Sequence, residues 1–304
     1  MLTTRILPAF LASCFFIGAA PAQDQPVRVV VTVEAQKGAT APNLTKDDVL
    51  VTLENQRMRV TSWEPIQNDR IGLELWLLID DGTDTVLGNQ LEDLRKFVME
   101  QPASTEVGIG YLRNGSVQAV QKPTTDHAAA AKTIRLPLGE AGVSASPYLA
   151  LTDLIQKWPA DEHAREVVMV SSGIDPDNGP GPINPYLERA IAVAQRAGVV
   201  VNSIYFNSAG HFGHSYWQIN WGQNYLSQLT EDTGGEFFWL GNSNPVSFAP
   251  FLSDIQHKLQ NQYELSFVSS SKPGLQQIKV RTSQPNTSLL YPASVPVGGV
   301  KPTQ

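Results

Sequence analysis

The sequence contains a single cysteine, Cys14, in a chain of 304 residues. Cys14 lies inside an N-terminal apolar run, so the rest of the chain has no thiol for a disulfide, a nucleophile or a metal ligand. We therefore expect packing and hydrogen bonding to stabilise the fold. The residues before it, Leu11-Ala12-Ser13, resemble the lipobox that precedes lipid attachment. A lipid anchor at Cys14 is thus the one membrane link that the sequence offers.

Basic residues are also scarce. The chain has 22 Lys and Arg against 29 Asp and Glu, a formal net charge of −7, and no stretch concentrates its cations. Binding to a phosphate backbone depends on such clusters. The composition therefore argues against nucleic acid as a partner.

Signatures of the common enzyme classes are missing. The sequence contains no G-x-S-x-G elbow, no P-loop and no G-x-G-x-x-G motif. One hydrolase alternative stays open, a triad of Ser172, Asp175 and His214, because triads are recognised by geometry and ignore sequence order. The sequence favours a protein that is not an enzyme.

The first 22 residues, MLTTRILPAFLASCFFIGAAPA, are typical of a secretory signal. They combine an arginine, an apolar run and an Ala-Pro-Ala site for cleavage after Ala22. The apolar run is shorter than the roughly 20 residues that span a bilayer. We expect an exported protein, periplasmic or secreted.

The pattern of the amino-acid sequence changes twice along the chain. Short runs of β-branched residues separated by turns predict strands near both ends, whereas buried strands and amphipathic helices alternate from Leu73 onward. The predicted segments are a signal peptide (1–22), an N-terminal β unit (23–68), an α/β domain (69–261), C-terminal strands that pack with the N-terminal unit (262–296) and a tail (297–304).

The alternation predicts an α/β fold, a mostly parallel open sheet with helices on both faces. Asn114-Gly115 is a hairpin signal and predicts one antiparallel edge strand. Ligands of such sheets bind outside the carboxyl ends of the strands. Residues 80–87, 142–148, 171–184 and 207–222 are expected on that edge.

Several segments together resemble the von Willebrand factor type A (VWFA)-related proteins, in particular an exported bacterial, acidobacterial type. The matching pieces are LTKDDVLV, LLIDDGTDTVLGNQLEDLRKF, QLTEDTGGEFF and QYELSFV, in that order. The resemblance implies a Rossmann-like type A sheet, a small β-sandwich-like unit built from N- and C-terminal strands, and adhesion or assembly through top-face loops.

The resemblance also implies a Mg²⁺ or Mn²⁺ site, formed by D-x-S-x-S after the first strand, a Thr from a second loop and an Asp after the fourth strand. Aligning Asp80 with the first Asp places Gly82 and Asp84 where hydroxyls belong, whereas a shift by one gives Asp81, Thr83 and Thr85. The alternative to metal binding is that the acidic residues cap a helix.

Two other ligand positions are also altered. Ser146 stands for the second-loop Thr, and Ser172 occupies the position of the last Asp. Asp175 or Asp177 can replace that Asp only if the loop folds back. Fewer charged ligands weaken divalent binding. We expect a degenerate metal site and no cofactor, with a Mg²⁺- or Mn²⁺-dependent adhesion module as the alternative.

Residues 207–222, NSAGHFGHSYWQINWG, place many aromatic residues in one predicted connection on the ligand edge. Aromatic side chains favour contact hot spots, but they also fill space over a sheet. The pair spaced as His-x-x-His suggests zinc but lacks a third ligand. We predict ligand contacts to a protein, or alternatively a carbohydrate, from His211, His214, Tyr216, Trp217 and Trp221.

Overall fold

The computed structural model describes residues 25–35, 40–67, 71–139, 145–159, 163–209, 214–241, 243–269 and 271–298. The predicted signal peptide, Cys14 and His211 lie outside the described residues. None of the described helices combines the length and the apolar character needed to cross a membrane.

The described residues form two sheets and six α helices. The strands of the α/β sheet are β4 (Leu73–Asp80), β5 (Thr105–Arg113), β6 (Ser116–Thr124), β7 (Ala164–Ser171), β8 (Val199–Tyr205) and β9 (Phe237–Phe238). The strands of the other sheet are β1 (Gln25–Ala35), β2 (Val49–Leu53), β3 (Gln56–Pro65), β10 (Gln262–Ser269), β11 (Gly274–Thr282), β12 (Thr287–Leu290) and β13 (Ser294–Val297). The helices are α1 (Leu91–Met99), α2 (His127–Lys132), α3 (Pro147–Lys157), α4 (Pro185–Ala197), α5 (Tyr216–Thr233) and α6 (Ala249–Gln260).

The α/β sheet has the order β6-β5-β4-β7-β8-β9. All neighbours are parallel except β5 and β6, which form an antiparallel hairpin. Asn114 and Gly115 both have positive φ at its turn, as a tight hairpin requires. The first strand, β4, lies between β5 and β7, so the order reverses there and opens a crevice at the carboxyl ends. The predicted fold class is confirmed.

Both faces of β4 are buried, which explains its uninterrupted apolar sequence. Successive side chains of a strand point to opposite faces, so Leu75 and Leu77 join one core and Trp76 and Leu78 the other. Helices α1, α2 and α6 cover the first face, and α3, α4 and α5 cover the second. The crevice therefore stands on a rigid, fully covered sheet.

The remaining strands form one antiparallel sheet of order β12-β1-β10-β3-β2-β11-β13. Strands from the two ends of the chain are interleaved in it, because β10 pairs with both β1 and β3 and β11 pairs with β2. Val27, Val29, Val31 and Val33 point to one face and pack in a core of its own. The sheet curls until β13 contacts β1. The predicted packing of the two ends thus takes the form of a single curled sheet.

Buried polar groups join the two sheets. Glu166 on β7 has 1% of its surface exposed and accepts hydrogen bonds from Asn202 Nδ2 and Gln262 Nε2. Burial raises the pKa of Glu166 to about 8, against the opposing effect of these hydrogen bonds. Nearby, Lys258 on α6 pairs with Glu34 on β1. The curled sheet is therefore attached by specific polar contacts.

Three local predictions need correction. Residues 207–222 are not one long loop, because α5 begins at Tyr216, where Ser215 and Gln218 form a capping box. The helix that the acidic residues were expected to cap begins as a 3₁₀ turn, Thr85–Gln90, before α1. Strand β13 was not predicted, and its pairing with β11 reaches Val297, in the segment expected to be a tail.

Candidate functional site

The carboxyl end of β4 carries Asp80, which is 9% exposed. Its Oδ2 accepts a hydrogen bond from Ser171 Oγ at 2.7 Å, and its Oδ1 accepts one from the Gly82 amide at 2.8 Å. Burial raises the pKa of Asp80 to about 6, and the charge of Asp81 adds to the shift. The donors are uncharged, so the carboxylate has hydrogen bonds but no counter-ion among them.

Asp81 makes a different set of contacts. Arg135 donates to both of its carboxylate oxygens, at 2.7 and 2.9 Å, and the Leu138 amide lies 3.3 Å from Oδ1. The guanidinium also lies 3.7 Å from the centre of the Tyr111 ring. Asp81 has no exposed surface. Its charge is therefore neutralised by a cation of the same chain.

The other residues of the shifted ligand set, Thr83 and Thr85, differ in their surroundings. Thr83 is buried and its hydroxyl donates to the Asp80 carbonyl at 2.6 Å, whereas Thr85 is exposed at the start of the 3₁₀ turn. Asp84 caps this turn by accepting from the Val86 amide at 2.9 Å. The capping role predicted for this loop thus holds for Asp84.

The loop after β7 folds back toward Ser146, the condition set for Asp175. Asp175 Oδ2 accepts from Ser146 Oγ at 2.8 Å and from Asn184 Nδ2 at 3.0 Å. The Ser146 amide donates to Asp177 Oδ2 at 2.9 Å. Burial raises the pKa of Asp175, which is 5% exposed. Ser172 Oγ accepts from the Ile174 amide at 3.3 Å.

A cavity of about 290 Å³ opens between these loops and the start of α5. The β8 loop is held beside the β4 loop by backbone bonds from Asp84 to Asn207 (2.9 Å) and from Ala209 to Gly82 (2.7 Å). Among the described residues, no lysine or arginine lines the cavity. The side chains that give it its chemistry are those of Asp80, Ser172, Asp175, His214, Trp221 and Tyr225.

Two glycines bring α5 into direct contact with the β7 loop. A Cβ atom on Gly222 would lie 2.6 Å from the Ser172 carbonyl oxygen, and one on Gly173 would lie 2.2 Å from the Gly222 carbonyl oxygen. Gly173 also has φ +68°, a conformation that favours glycine. This close approach makes Trp221 and Tyr225 walls of the cavity.

The aromatic residues of α5 divide between the two predicted roles. Tyr216 and Trp217 are 68% and 58% exposed, whereas Trp221 packs against the core. The rings of Trp217 and Trp221 meet edge to face at 5.8 Å, and those of Trp221 and Tyr225 lie 5.7 Å apart. The first two residues are thus available for contact, while Trp221 fills space over the sheet.

His214 lines the cavity, but no hydrogen bond joins it to Ser172 or Asp175 in the described part of the chain. Both oxygens of Asp175 accept from other groups, the second oxygen from the Asp177 amide at 3.0 Å. Within the described residues no group of three or more His, Cys, Asp or Glu side chains is arranged to hold a metal. The His211 partner proposed for zinc lies outside the described residues.

The strand order, the antiparallel edge hairpin and the acidic loop after the central strand agree with the resemblance noted in the sequence. The α/β unit therefore has the Rossmann-like fold that the resemblance to von Willebrand factor A domains implies.

Solved structures with a similar fold have low sequence identity. An aerotolerance-related membrane protein from Bacteroides fragilis is 13% identical, with a TM-score of 0.45, covering 62% of this chain and 98% of that one. The SpRpn10 VWA domain is 12% identical, with a TM-score of 0.37, covering 61% of this chain and 94% of that one. Proximal thread matrix protein 1 from the mussel byssus is 11% identical, with a TM-score of 0.41, covering 64% of this chain and 48% of that one. No protein-family model and no curated protein matches the sequence.

Proposed function

We propose that this chain is an exported, non-enzymatic protein-interaction module with a degenerate metal site. Its binding surface is the top face, which we define as the loops after β4, β7 and β8 together with the first turns of α5. The observation that carries the proposal is the exposure of Tyr216 and Trp217 beside the cavity. Exposed aromatic residues at the rim of a pocket are the side chains on which protein contacts concentrate their binding energy.

The charges of the top face support a site that works without a divalent ion. Asp81 is neutralised by Arg135, and a serine, Ser172, stands where the resemblance expects an aspartate. The two remaining carboxylates, Asp80 and Asp175, accept hydrogen bonds from neutral groups of the protein. Since divalent affinity depends on the number of charged ligands, this set favours weak binding.

The same contacts support a non-enzymatic role. A serine nucleophile needs a base within hydrogen-bond reach and a third group that orients the base. Ser172, Asp175 and His214 share one cavity but are not bonded to one another, and Asp175 orients Ser146 and Asn184 instead. These contacts support the proposal that the cavity binds rather than catalyses.

Affinity capture tests the proposal. The full mature chain is immobilised and exposed to the surface and secreted proteins of the organism that encodes it, beside Trp217→Ser and the control Met99→Ser. Met99 is 50% exposed at the end of α1, on the opposite edge of the sheet. We expect specific partners to be retained by the wild type and the control and lost with Trp217→Ser. Equal retention by all three chains would contradict the proposal.

Calorimetry tests the metal part separately. Mg²⁺ and Mn²⁺ are titrated to millimolar concentration into the chelator-treated protein, and its melting temperature is recorded with and without ion. We expect no binding heat and no change in melting temperature. A saturable heat lost with Asp80→Asn would support the ion-dependent alternative.

Export has its own measurement. Fractionation of the source organism should place the protein outside the cytoplasm, and sequencing of its mature N-terminus should begin at Gln23. A lipid-modified Cys14 at the mature N-terminus would indicate the membrane-anchored form instead.

A further inference from the structure

We propose that the top-face cavity receives a basic side chain of the partner, a lysine or an arginine, between the carboxylates of Asp80 and Asp175 and the rings of Trp221 and Tyr225. The inference rests on the proposed function for the statement that the occupant belongs to a protein. The chemistry of the cavity specifies which side chain of that protein enters.

The charge of the cavity carries the first step. Asp80 and Asp175 line it and are 9% and 5% exposed. The hydrogen bonds to their oxygens come from amides and hydroxyls, which leave the negative charges uncompensated. Asp81, the next residue in the sequence, differs, because the guanidinium of Arg135 neutralises its charge. A cation from outside would supply what the cavity lacks, since buried charges are costly unless paired.

Asp80 and Asp175 line the same cavity, so a single cationic group inside it would be attracted by both carboxylates. The Tyr148 hydroxyl donates a hydrogen bond to the Gly173 carbonyl at 2.9 Å, at the base of the β7 loop. Burial raises the pKa of this hydroxyl, and the negative charges of Asp175 and Asp80 raise it further.

The walls of the cavity suit the rest of a basic side chain. Trp221 and Tyr225 present two rings 5.7 Å apart, which can contact methylene groups and attract a cation through their faces. Ser208 Oγ is withdrawn from solvent at the wall and has no hydrogen-bond partner among the described residues. It can accept a hydrogen bond from an entering N–H group.

The size of the cavity limits the occupant to a small group. Its volume of about 290 Å³ lies at the lower end of the roughly 300 to 1,000 Å³ of small-molecule pockets. One long side chain uses such a space well. An acidic side chain would face two carboxylates without a metal between them, and this repulsion selects against it.

Probe titrations test the inference on the full mature chain. The probes are single amino acids with a blocked backbone and a free side chain: the Nα-acetyl methylamides of lysine and arginine. They are titrated by calorimetry and ligand-observed NMR, beside the corresponding norleucine and glutamate compounds. We expect saturable binding of a basic probe at concentrations up to about 50 mM. The neutral and acidic analogues should not saturate.

Matched variants locate the binding. Asp175→Asn and Asp80→Asn should each weaken the basic probe by about fivefold or more, as expected for loss of a buried opposite charge. Asp47→Asn changes the net charge equally at an exposed position of the curled-sheet unit and should leave affinity unchanged. Melting temperatures show which variants are folded. If only one of the two cavity variants folds, its affinity for the basic probe decides the test.

Three results would overturn the inference: no saturation by either basic probe, equal binding of norleucine, or affinity unchanged by both cavity substitutions. Failure here is distinguishable from failure of the proposed function. If the basic probes do not bind while Trp217→Ser still abolishes partner capture, the top face is an interaction surface but the cavity does not receive a cation.

Discussion

Arg135 holds Asp81 by two parallel hydrogen bonds, 2.7 and 2.9 Å long, although 54 residues separate them in sequence. Asp81 is completely buried, and the guanidinium is stacked on Tyr111. In the type A resemblance this part of the loop belongs to a metal site. In this protein the guanidinium of Arg135 neutralises Asp81, the second acidic residue of the loop, and holds the loop in place. Among the described residues, Asp80 is the one acidic group of this loop that lines the cavity.

Arg135→Ala should lower the free energy of unfolding by about 3 to 5 kcal/mol, because it leaves a buried carboxylate without its partner. Urea denaturation measures the change. Arg135→Lys should recover only part of the loss, since an ammonium cannot donate in the same bidentate way. The double variant Asp81→Asn with Arg135→Met should be more stable than Arg135→Ala. A loss below about 1 kcal/mol for Arg135→Ala would show that the pair is worth no more than an exposed one.

Glu166 should make stability fall as the pH rises from about 4.5 to about 8. The unfolded chain releases this proton near its ordinary pKa of 4.5, whereas the folded protein keeps it until about 8. Between these values the folded state binds more protons, so rising pH favours unfolding. Glutamine is neutral at every pH, so Glu166→Gln should remove this decline. At alkaline pH the free energy of unfolding of the variant should exceed that of the wild type by at most about 5 kcal/mol.

Urea midpoints at about pH 5, 7 and 9 check this prediction. The Oε1 atom of Gln262 is buried and has no hydrogen-bond partner among the described residues. Rotation of the Gln262 side-chain amide would let this oxygen accept a hydrogen bond from protonated Glu166. The matched control is Glu92→Gln, since the Glu92 side chain is 87% exposed. Parallel pH profiles for wild type and Glu166→Gln would mean that Glu166 is ionised throughout.

The two tryptophans at the start of α5 should separate binding from stability. Trp217 is 58% exposed, so Trp217→Ala should change the free energy of unfolding by less than about 1 kcal/mol while weakening partner binding. Trp221 packs against the core and Tyr225, so Trp221→Ala should cost about 1 to 3 kcal/mol. Thermal denaturation of both variants measures the difference. A large loss with Trp217→Ala would favour a space-filling role for this ring too.

Gly222→Ala should destabilise the protein, although alanine is the better helix former by about 1 kcal/mol. Its Cβ would meet the Ser172 carbonyl oxygen at 2.6 Å and the Ile174 nitrogen at 2.9 Å, and both are backbone atoms. We expect a net loss of about 1 to 3 kcal/mol from overpacking, and weaker binding of basic probes. Gly181→Ala is the control, since its Cβ would meet nothing within 4 Å and Gly181 does not line the cavity. Unchanged stability of Gly222→Ala would show that α5 can move outward freely.

Local sequence patterns predicted the features that local physics determines. The apolar run of β4 indicated a strand buried on both faces, and Asn114-Gly115 indicated the hairpin turn. The start of α5 was also locally encoded, because Ser215 and Gln218 have the spacing of a capping box. The aromatic residues after Ser215 were assigned to a loop because their contribution to a helix is neither strongly favourable nor periodic.

Long-range partners were beyond such patterns. Nothing in the sequence near Arg135 indicates that its guanidinium pairs with Asp81 in the β4 loop, so the sequence did not predict this contact. The contact between Gly173 and Gly222 joins two elements through backbone atoms and has no periodic signal. The order of strands in the curled sheet likewise depends on pairings between opposite ends of the chain.

The interleaving of chain ends in the curled sheet affects how the protein can be made. Strand β10 lies between β1 and β3, so these early strands lack their shared neighbour until residues 262–269 have been synthesised. The α/β unit is complete before that point and is in effect a domain inserted between β3 and β10. It can therefore fold while β1 and the edge of β3 that faces β10 are still unpaired, the kind of surface that aggregates. This waiting period is the stage of synthesis at which the chain most needs protection by a chaperone.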